Sequence, residues 1–246
     1  MCACGDNPGS RYHITVKQLV HNLGRLYQRK ILSLEAERQH FNRYNERPVE
    51  FAFVFRAIAR CAPKTILDVG TGTTALPALM ANCGAVVTAI DNVNDYWEHG
   101  LINRHWHIVD DDIQKTRIRQ KFDMLTCIST LEHIREYDNA ARNMLELLSP
   151  GGHLVLTCPF TWAQHVDDCY RQPGADAGLA AAPYIGNSYS GEDLERWLRV
   201  GAELVEIEHW RGFSGSHWAL GERLAPPLPA TRETGNLACL LLRRAA

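Results

Sequence analysis

The sequence predicts an α/β protein whose doubly wound, mostly parallel sheet is covered by helices on both faces. Short apolar runs alternate with amphipathic segments along most of the chain, which is typical of parallel strands buried by crossover helices. The first of these runs ends in a turn that contains Gly70 and Gly72. With 246 residues, of which 46% are hydrophobic and 22% charged, the chain is long enough for one globular domain with an elaborated cap.

The N-terminal part of the chain is predicted to be helical after an irregular tail at residues 1–12. Apolar residues recur at three- and four-residue steps over residues 14–44, which indicates an amphipathic helix. A second helix is predicted over residues 49–62, because Pro48 suits a first helical turn and Pro63 ends the pattern. The tail is polar, so we expect no secretory signal.

Seven short apolar runs predict the strands of the sheet. The predicted strands are residues 65–69, 85–91, 105–109, 122–128, 153–158, 202–209 and 237–242, and the predicted helices between them are about 75–82, 137–148 and 191–200. The last of these helices has Ser190 as a suitable N-cap and Asp193 at its third position. Pro226, Pro227 and Pro229 predict a loop before the final strand.

The regular pattern is lost after the fifth predicted strand, from Pro159 to Tyr189. This segment carries three prolines and two patches that contain Trp and His. An irregular stretch of this length inside a compact domain is usually either functional or disordered. We therefore predict a cap insertion at about residues 159–190, lying over the ligand site.

The residues that indicate a cofactor-binding site are Asp68, Gly70, Gly72 and Asp91. Glycines that leave a strand permit a tight turn and close approach of a ligand, and a carboxylate at the tip of the second strand can accept hydrogen bonds from ribose hydroxyls. The spacing of Gly70, Gly72 and Ala75 also satisfies a dinucleotide fingerprint. However, the Asp68 carboxylate would repel a pyrophosphate and would attract an adenosyl cofactor that carries cationic groups. The motif therefore favours the cationic cofactor.

Residues 66–72, Ile-Leu-Asp-Val-Gly-Thr-Gly, resemble the first motif of class I S-adenosylmethionine-dependent methyltransferases. Four further motifs of that family have counterparts in order, at residues 89–91, 111–113, 122–134 and 148–156. The resemblance covers about residues 50–160 and the strand at 237–242. It implies a Rossmann-like, seven-stranded sheet with an antiparallel last strand, S-adenosyl-L-methionine as the cofactor and S-adenosyl-L-homocysteine as the product.

The resemblance also implies which residues bind the cofactor. The acid that holds the ribose corresponds to Asp91, and the acid that takes the adenine amino group lies in the third motif. Tyr96 and Trp97 follow Asp91 closely and lie either against the adenine or over the sheet. The predicted cofactor-binding residues are Asp68, Gly70, Thr71, Gly72, Asp91, Asn92, Asp111, Asp112, Ile113 and Ser129.

The sequence departs from the family pattern in three places. Thr73 and Thr74 stand where a third glycine is often found, and Pro77 falls inside the helix that follows. Three consecutive acids at residues 110–112 leave the adenine ligand ambiguous, and Asp112 fits best by its place before Ile113. We divide the chain into a tail and helical lid at residues 1–48 and a class I methyltransferase domain at residues 49–246.

Two histidines are candidates for a general base that removes the proton of a substrate hydroxyl. His133 follows the fourth predicted strand and is either this base or a residue packed near the cofactor. His165 has Asp167 and Asp168 nearby and is either an oriented base or part of a solvated loop. The predicted substrate contacts are Trp162, Tyr170 and His217, the last of which is either a site residue or, as its sequence context favours, part of an exposed turn.

His105 and His107 are two residues apart in the third predicted strand and would share one of its faces. That spacing suits a metal, but no third ligand accompanies them. We therefore expect packed or solvent-facing histidines and no metal.

The composition limits the classes of binding partner that we expect. Lys and Arg total 26 and Asp and Glu total 28, so the net charge of −2 argues against nucleic acid. No apolar run reaches the length of a membrane span, so no membrane partner is expected. The eight cysteines form no Cys-x-x-Cys pair, which indicates reduced thiols and a cytoplasmic protein. The N-terminal helices serve either as the lid or as the face of a homodimer.

The function that these patterns favour is methylation of a small-molecule substrate, at an oxygen of a sugar or secondary metabolite, by direct in-line transfer. Two alternatives stay open at this point. One is an NAD(P)-dependent oxidoreductase, against which Asp68 argues. The other is a catalytically silent protein that binds an adenosyl cofactor.

Overall fold

The computed structural model describes residues 15–38, 45–95 and 100–245, with side chains between residues 31 and 38 only at Ser33. The chain divides into two units, Met1–Arg43 and Tyr44–Ala246. In the first unit, helix α1 (Val16–Arg38) forms from the predicted amphipathic segment. The predicted end of that helix near residue 44 and the predicted irregular tail lie outside the described residues. The lid role of residues 1–48 stays a prediction.

The second unit is an α/β sandwich, which confirms the predicted fold class. Its helices are α2 (Arg47–Cys61), α3 (Leu76–Asn82), α4 (Tyr137–Leu147), α5 (Ala177–Ala180) and α6 (Gly191–Arg199). Its strands are β1 (Thr65–Val69), β2 (Val86–Asp91), β3 (Ile108–Asp110), β4 (Phe122–Ile128), β5 (Leu148–Pro159), β6 (Ala202–Phe213), β7 (Arg223–Pro229) and β8 (Leu237–Arg244). The strand order is β3-β2-β1-β4-β5-β8-β6-β7. Strands β1 to β5 are parallel, and β8 is antiparallel to both of its neighbours.

The helix ends follow from local sequence. Pro48 lies in the first turn of α2, and Pro77 lies in the first turn of α3, where proline costs no hydrogen bond and causes no kink. Helix α6 begins with the predicted capping box, in which Ser190 and Asp193 satisfy each other's backbone N–H groups.

The hydrophobic core lies in two layers, one on each face of the sheet. Successive residues of one strand point to opposite faces, so Leu125 of β4 and Leu240 of β8 join the cluster under α4 and α6. Met124 and Leu241, one residue away in each strand, join the cluster under α2 and α3. The near-continuous apolar strands of the sequence therefore correspond to a sheet that is buried on both sides.

Strand β7 corrects the predicted strand count from seven to eight. Its proline-rich segment was expected to be a loop, but it pairs antiparallel with β6, with Leu228 opposite Arg211. β7 is the last strand in the sheet order, so its outer side has no neighbouring strand to accept a backbone hydrogen bond. A proline there, which has no N–H group to donate, therefore costs the sheet no hydrogen bond on that side. Prolines are therefore tolerated in this edge strand.

The third predicted strand is also corrected, because β3 begins only at Ile108. His105 and His107 lie in the loop before β3 and do not share a strand face. Asn103 shapes this loop, since its Oδ1 atom accepts hydrogen bonds from the backbone N–H groups of His105 and Trp106 at 2.8 and 2.9 Å. Among the described residues, no cluster of three or more metal-ligating side chains occurs.

The cap insertion contains more structure than its sequence indicated. It holds α5, and short bridges join Phe160 to Tyr189 and Val166 to Ser188. A third hydrophobic cluster packs the insertion against the end of β6 and the β6–β7 loop. Its buried members are Cys169, Tyr170, Phe213, Trp218, Ala219 and Leu237. In the part of the chain that the structure describes, no helix is long and apolar enough to cross a membrane.

Candidate active site

The candidate site lies where the strand order reverses, at the carboxyl ends of β1 and β4. Strand β1 has β2 on one side and β4 on the other, and ligands of open α/β sheets bind at such a reversal. Thr130, just past β4, donates its hydroxyl to the carbonyl oxygen of Gly70 at 3.1 Å. A Cβ atom on Gly70 would lie 2.0 Å from the Thr130 methyl group, and the φ of Gly70 is +72°. Glycine is therefore required here to let the two loops touch.

The glycine-rich turn is held open from two sides. The backbone N–H of Gly72 donates to Oδ2 of Asp91 at 2.8 Å, so the acid at the tip of β2 shapes the turn directly. Asn103 donates its Nδ2 group to the carbonyl oxygens of Gly72 and Thr74 at 2.8 and 2.9 Å. Sequence analysis missed Asn103, since a single loop asparagine carries no periodic signal.

Asp68 is buried beneath this turn, with only 2% of its surface exposed. Its carboxyl oxygens accept hydrogen bonds from the hydroxyls of Thr71 at 2.7 Å and Thr126 at 2.5 Å. Burial raises the pKa of Asp68 to about 6, although the two hydroxyls oppose the rise. The carboxylate is therefore still the main form at pH 7.

Arg47 places a guanidinium beside Asp68. The two side chains line one small pocket between the start of α2 and the turn after β1. The pocket is lined by Arg47, Phe51, Asp68, Gly70, Thr71, Thr74, Leu76 and Ile128. Nη1 of Arg47 donates to Glu50 at 3.0 Å and to the carbonyl oxygen of Ile128 at 3.3 Å. A cation and a carboxyl group in one pocket fit a zwitterion, such as the carboxylate and ammonium of an amino acid.

Glu50 ties α2 to the ends of two strands. It is fully buried, and its Oε1 atom accepts hydrogen bonds from Ser129 at 2.5 Å and Thr157 at 2.7 Å. Burial raises the pKa of Glu50, while the charge of Arg47 opposes the rise. Sequence analysis missed both Arg47 and Glu50. The signal that could have found them is an acid on an otherwise apolar helix face.

Ser129, a predicted cofactor residue, has a left-handed backbone with φ of +45°. Its N–H donates to the Oγ1 atom of Thr157 at 3.0 Å, and its hydroxyl donates to Glu50. Strained non-glycine residues of this kind cluster at functional sites, where the surrounding structure holds them.

Asp111 and Asp112, the two acids that follow β3, differ in their hydrogen bonds and in their exposure. Both carboxyl oxygens of Asp111 are used within the following turn, by Thr116 at 2.6 Å and by backbone N–H groups of Asp112 and Arg117. Asp112 uses Oδ1 to cap the next turn through Gln114 at 2.9 Å, and its side chain is 17% exposed. Asp112 is therefore better placed than Asp111 to meet a ligand.

Two other predicted cofactor residues, Ile113 and Asn92, make no side-chain contact with the described part of the chain that indicates a ligand. Ile113 is buried in the core under α4, so only its backbone could meet a ligand. Asn92 is partly buried and follows Asp91 at the end of β2. Tyr96 and Trp97 lie outside the described residues.

His133 sits in a short turn (Leu131–His133) just past β4. Its Nδ1 atom lies 2.7 Å from the carbonyl oxygen of Ile185 in the cap, so the ring proton resides on Nδ1 and the lone pair on Nε2. Burial lowers the pKa of His133 to about 4; the hydrogen bond to Ile185 opposes this fall and the nearby charge of Arg47 adds to it. The ring also contacts Tyr184, with centroids 4.4 Å apart. His133 is therefore neutral at physiological pH and oriented by the cap.

Glu132 is buried next to His133, with its Oε1 atom 3.9 Å from Nε2 of His133. Its Oε2 atom is buried and finds no hydrogen-bond partner among the described residues. Burial raises the pKa of Glu132 well above its usual value, which favours the neutral acid over the carboxylate. Sequence analysis did not assign Glu132 a role.

His165 lies between two carboxylates. Its Nδ1 atom is 2.9 Å from Asp193, and its Nε2 atom is 3.2 Å from Asp167. The hydrogen bond to Asp193 raises the pKa of His165, which favours the imidazolium. Since a protonated ring cannot accept a proton, these contacts give its predicted role as a base no support, and that role stays a prediction.

The three predicted substrate residues lie in different surroundings. Tyr170 is 4% exposed in the cap and its ring lies 6.1 Å from that of His133. Trp162 instead donates to His209 at 3.3 Å and lies under the guanidinium of Arg232. The Nε2 atom of His217 is buried and finds no hydrogen-bond partner in the described part of the chain. Only Tyr170 is thus brought to His133.

Comparison with known proteins identifies the family to which the chain belongs. Residues 33–207 match a family model described as a methyltransferase domain. Among curated proteins, the ubiquinone biosynthesis O-methyltransferase of Coxiella burnetii is 31% identical over 117 residues, which are 45% of this chain and 49% of that protein. The chain thus spans about half the length of this relative.

Two solved structures share the fold at low identity. The 1,6-didemethyltoxoflavin-N1-methyltransferase of Burkholderia thailandensis, solved with 1,6-didemethyltoxoflavin and S-adenosylhomocysteine, has a TM-score of 0.56 at 15% identity and covers 98% of this chain and 94% of its own. The cyclase SpnF has a TM-score of 0.51 at 15% identity, with coverage of 83% and 86%. These matches show the fold, which serves more than one chemistry.

Proposed function

Because the chain belongs to the family of methyltransferase domains, we propose that it transfers a methyl group from S-adenosyl-L-methionine to an oxygen atom of a small molecule. The observation that carries this proposal is the small pocket at the turn after β1 that both Arg47 and Asp68 line. A guanidinium and a carboxylate fit the carboxylate and ammonium of the methionine end of the cofactor. The O-methyltransferase relative supports oxygen as the acceptor.

The remaining cofactor contacts are proposed from position. Asp91 at the tip of β2 would bind the ribose hydroxyls, and Asp112 would take the adenine amino group. Gly70 and Gly72 let the backbone come close to the ligand. The full proposed set is Arg47, Asp68, Gly70, Thr71, Gly72, Asp91, Asn92, Asp111, Asp112, Ile113 and Ser129, with Asp111 acting through the turn that it holds.

When bound, the cofactor supplies an electrophilic methyl group on its sulfonium. The residues of the chain must hold the acceptor oxygen in line, about 3 Å from that carbon, and keep water away. Tyr170 and Tyr184 of the cap flank His133 and give that part of the site an aromatic wall. Such a wall suits a flat, partly apolar acceptor.

His133 is the proposed general base, because its lone pair lies on Nε2 and its Nδ1–H is held by Ile185. A pKa of about 4 keeps the ring in its basic form at neutral pH but makes it a weak base. A weak base matches an acidic hydroxyl better than an alcohol. Within the range of sugars and secondary metabolites, we therefore favour a phenolic or enolic secondary metabolite as the substrate.

The proposal is tested first by binding and then by turnover. Calorimetry with S-adenosylmethionine, S-adenosylhomocysteine and NADH should show binding of the first two only. Transfer of a labelled methyl group to a panel of phenols, sugars and amines should label phenols most. Binding of NADH alone would refute the proposal. Cofactor binding without transfer to any member of a broad panel would favour the silent binding protein instead.

A further inference from the structure

The side chain of Asn103 joins the loop before β3 to the turn after β1. Its Nδ2 group donates to the carbonyl oxygens of Gly72 and Thr74 at 2.8 and 2.9 Å. Its Oδ1 atom accepts from the backbone N–H groups of His105 and Trp106. Both donor hydrogens and both acceptor positions of the amide are therefore used. One side chain thus fixes the loop and the turn relative to each other.

The turn after β1 needs such a restraint because it contains two glycines. Gly70 and Gly72 have φ values of +72° and +57°, and glycine adopts positive and negative φ with nearly equal ease. The N–H of Gly72 donates to Asp91, but that contact does not hold the carbonyl oxygen of the same residue. Asn103 holds that oxygen. The peptide groups before and after Gly72 are therefore fixed by two different side chains, those of Asp91 and Asn103.

The loop that carries Asn103 is anchored on both sides of this residue. Before it, Leu101 is buried, and its N–H donates to the carbonyl oxygen of Val93 at 2.9 Å. After it, Trp106 packs against the hydrophobic cluster under α2 and α3. The Asn103 amide therefore holds the turn against a support that is itself fixed by packing.

We propose that Asn103 is a positioning residue for S-adenosyl-L-methionine, which acts through the turn after β1. A carbonyl oxygen of that turn that rotated toward the small pocket would present the negative end of its dipole to the carboxylate of the cofactor. By holding the carbonyl oxygens of Gly72 and Thr74, Asn103 keeps the turn in one conformation before the ligand arrives, which lowers the entropic cost of binding. The inference rests on the proposed binding of S-adenosylmethionine but not on the identity of the methyl acceptor.

The alternative is that Asn103 only shapes its own loop, through the acceptor Oδ1. Asn103→Asp separates the two roles. It keeps an acceptor for the N–H groups of His105 and Trp106, but it places an oxygen where Nδ2 donated. The loop-shaping contacts are therefore preserved in Asn103→Asp, whereas the hold on the turn is lost.

The test is calorimetric titration of the unaltered chain and its variants with S-adenosylhomocysteine. Asn103→Ala and Asn103→Asp should each bind it about tenfold more weakly, because two hydrogen bonds to the turn are lost. The number of sites per chain should not change, since a misfolded fraction lowers that number and leaves the affinity of the remaining chains as it was. In turnover with a phenol as acceptor, the KM for S-adenosylmethionine should rise by a similar factor while kcat stays within about twofold.

Asn236 provides a matched control, because it also bridges backbone groups through both ends of its amide. Its Oδ1 atom accepts from the N–H groups of Gly212 and Phe213, and its Nδ2 group donates to the carbonyl oxygens of Phe213 and Gly215. Asn236→Ala therefore removes a comparable set of hydrogen bonds beside the β6–β7 loop. It should lower the unfolding midpoint without changing the affinity for S-adenosylhomocysteine.

The inference is overturned if both Asn103 variants bind S-adenosylhomocysteine as tightly as the unaltered chain. It is also overturned if Asn236→Ala loses as much affinity, since the effect would then follow from stability. Full affinity in Asn103→Asp beside weak binding in Asn103→Ala would assign Asn103 to loop shape alone. These results leave the proposed function intact, because the unaltered chain still binds the ligand. If the unaltered chain binds neither adenosyl ligand, the proposed function and the inference both fail.

Discussion

The Nδ1 atom of His133 lies 2.7 Å from the carbonyl oxygen of Ile185. This contact joins the turn after β4, which belongs to the cofactor-binding half of the sheet, to the cap insertion. It decides which ring nitrogen carries the proton, and it makes the orientation of His133 depend on a segment 52 residues away. The cap therefore contacts the turn that carries the candidate base.

Replacing His133 with Gln should lower kcat by about 10²- to 10⁴-fold, the usual contribution of a positioned general base. The affinity for S-adenosylmethionine should stay within about twofold, because the ring is not among the proposed cofactor contacts. His153→Gln, in the middle of β5, is the matched control and should leave kcat unchanged. Steady-state kinetics and calorimetry give the two readouts.

The pH profile of the unaltered chain checks the same assignment. Because the pKa of His133 is about 4, kcat should hold from pH 8 down to about pH 5. A limb with an apparent pKa near 6.5, the ordinary value for histidine, would contradict a buried neutral His133.

Replacing Arg47 with Ala should weaken binding of S-adenosylmethionine by about 2 kcal/mol, because a hydrogen bond to a charged group is lost. Arg47→Lys should recover part of this energy, since it keeps the charge but not the fork of donors. Removing the guanidinium also strips buried Glu50 of its partner, so the unfolding midpoint must be measured beside affinity. Arg56→Ala, on the same helix but paired with Glu208, is the control. Unchanged affinity in Arg47→Ala would remove Arg47 from the site.

Replacing Asp91 with Ala should weaken cofactor binding by about 1–3 kcal/mol through lost charged hydrogen bonds. Asp91→Asn should cost less, because its amide oxygen can still accept the N–H of Gly72 and keep the turn in place. Asp95→Asn, an exposed acid four residues on, should have no effect. If Asp91→Ala and the unaltered chain bind the cofactor equally, the ribose role is wrong.

The stability of the cap should depend on pH through His165 and Asp193. The raised pKa of His165 means that its contribution is complete below pH 6.5 and is lost as pH rises through the folded value. The pKa of Asp193 is lowered to about 2, so its contribution is complete above pH 3.8 and is lost as pH falls through 2. His165→Gln should therefore be most destabilising between pH 3.8 and 6.5, and less so at pH 9.

Urea unfolding at pH 5 and pH 9 measures this difference. Asp167→Asn is the control, because the Asp167 side chain is 93% exposed and a solvated ion pair contributes little. An equal loss of stability at both pH values in His165→Gln would show that packing, and not charge, accounts for the effect.

Local patterns were enough to predict most of the fold. The glycine turn, the proline-led helices and the Ser190–Asp193 capping box each depend on residues within a few positions of one another, so sequence spacing reports them directly. Strand β7 was missed for the opposite reason. Its prolines forbid an internal strand, and only the position of the segment at the sheet edge makes them acceptable.

The site was predicted in its outline but not in its details. Asp68, Gly70, Gly72 and Asp91 follow from the motif, and the structure brings all four to one turn. Arg47 reaches the pocket from a helix that precedes the motif, and no spacing rule links it to Asp68.

By itself, the sequence determined the fold class, the position of the glycine turn and the two histidines worth testing, because periodicity and turn chemistry are local properties. Only the tertiary structure decided how the surroundings of those histidines differ. His133 is buried against a backbone carbonyl, and burial lowers its pKa to about 4, whereas His165 lies between two carboxylates and the hydrogen bond to one of them raises its pKa. The physical reason is that protonation depends on burial and on partners brought together by folding. The spacing of residues along the chain reports neither of these.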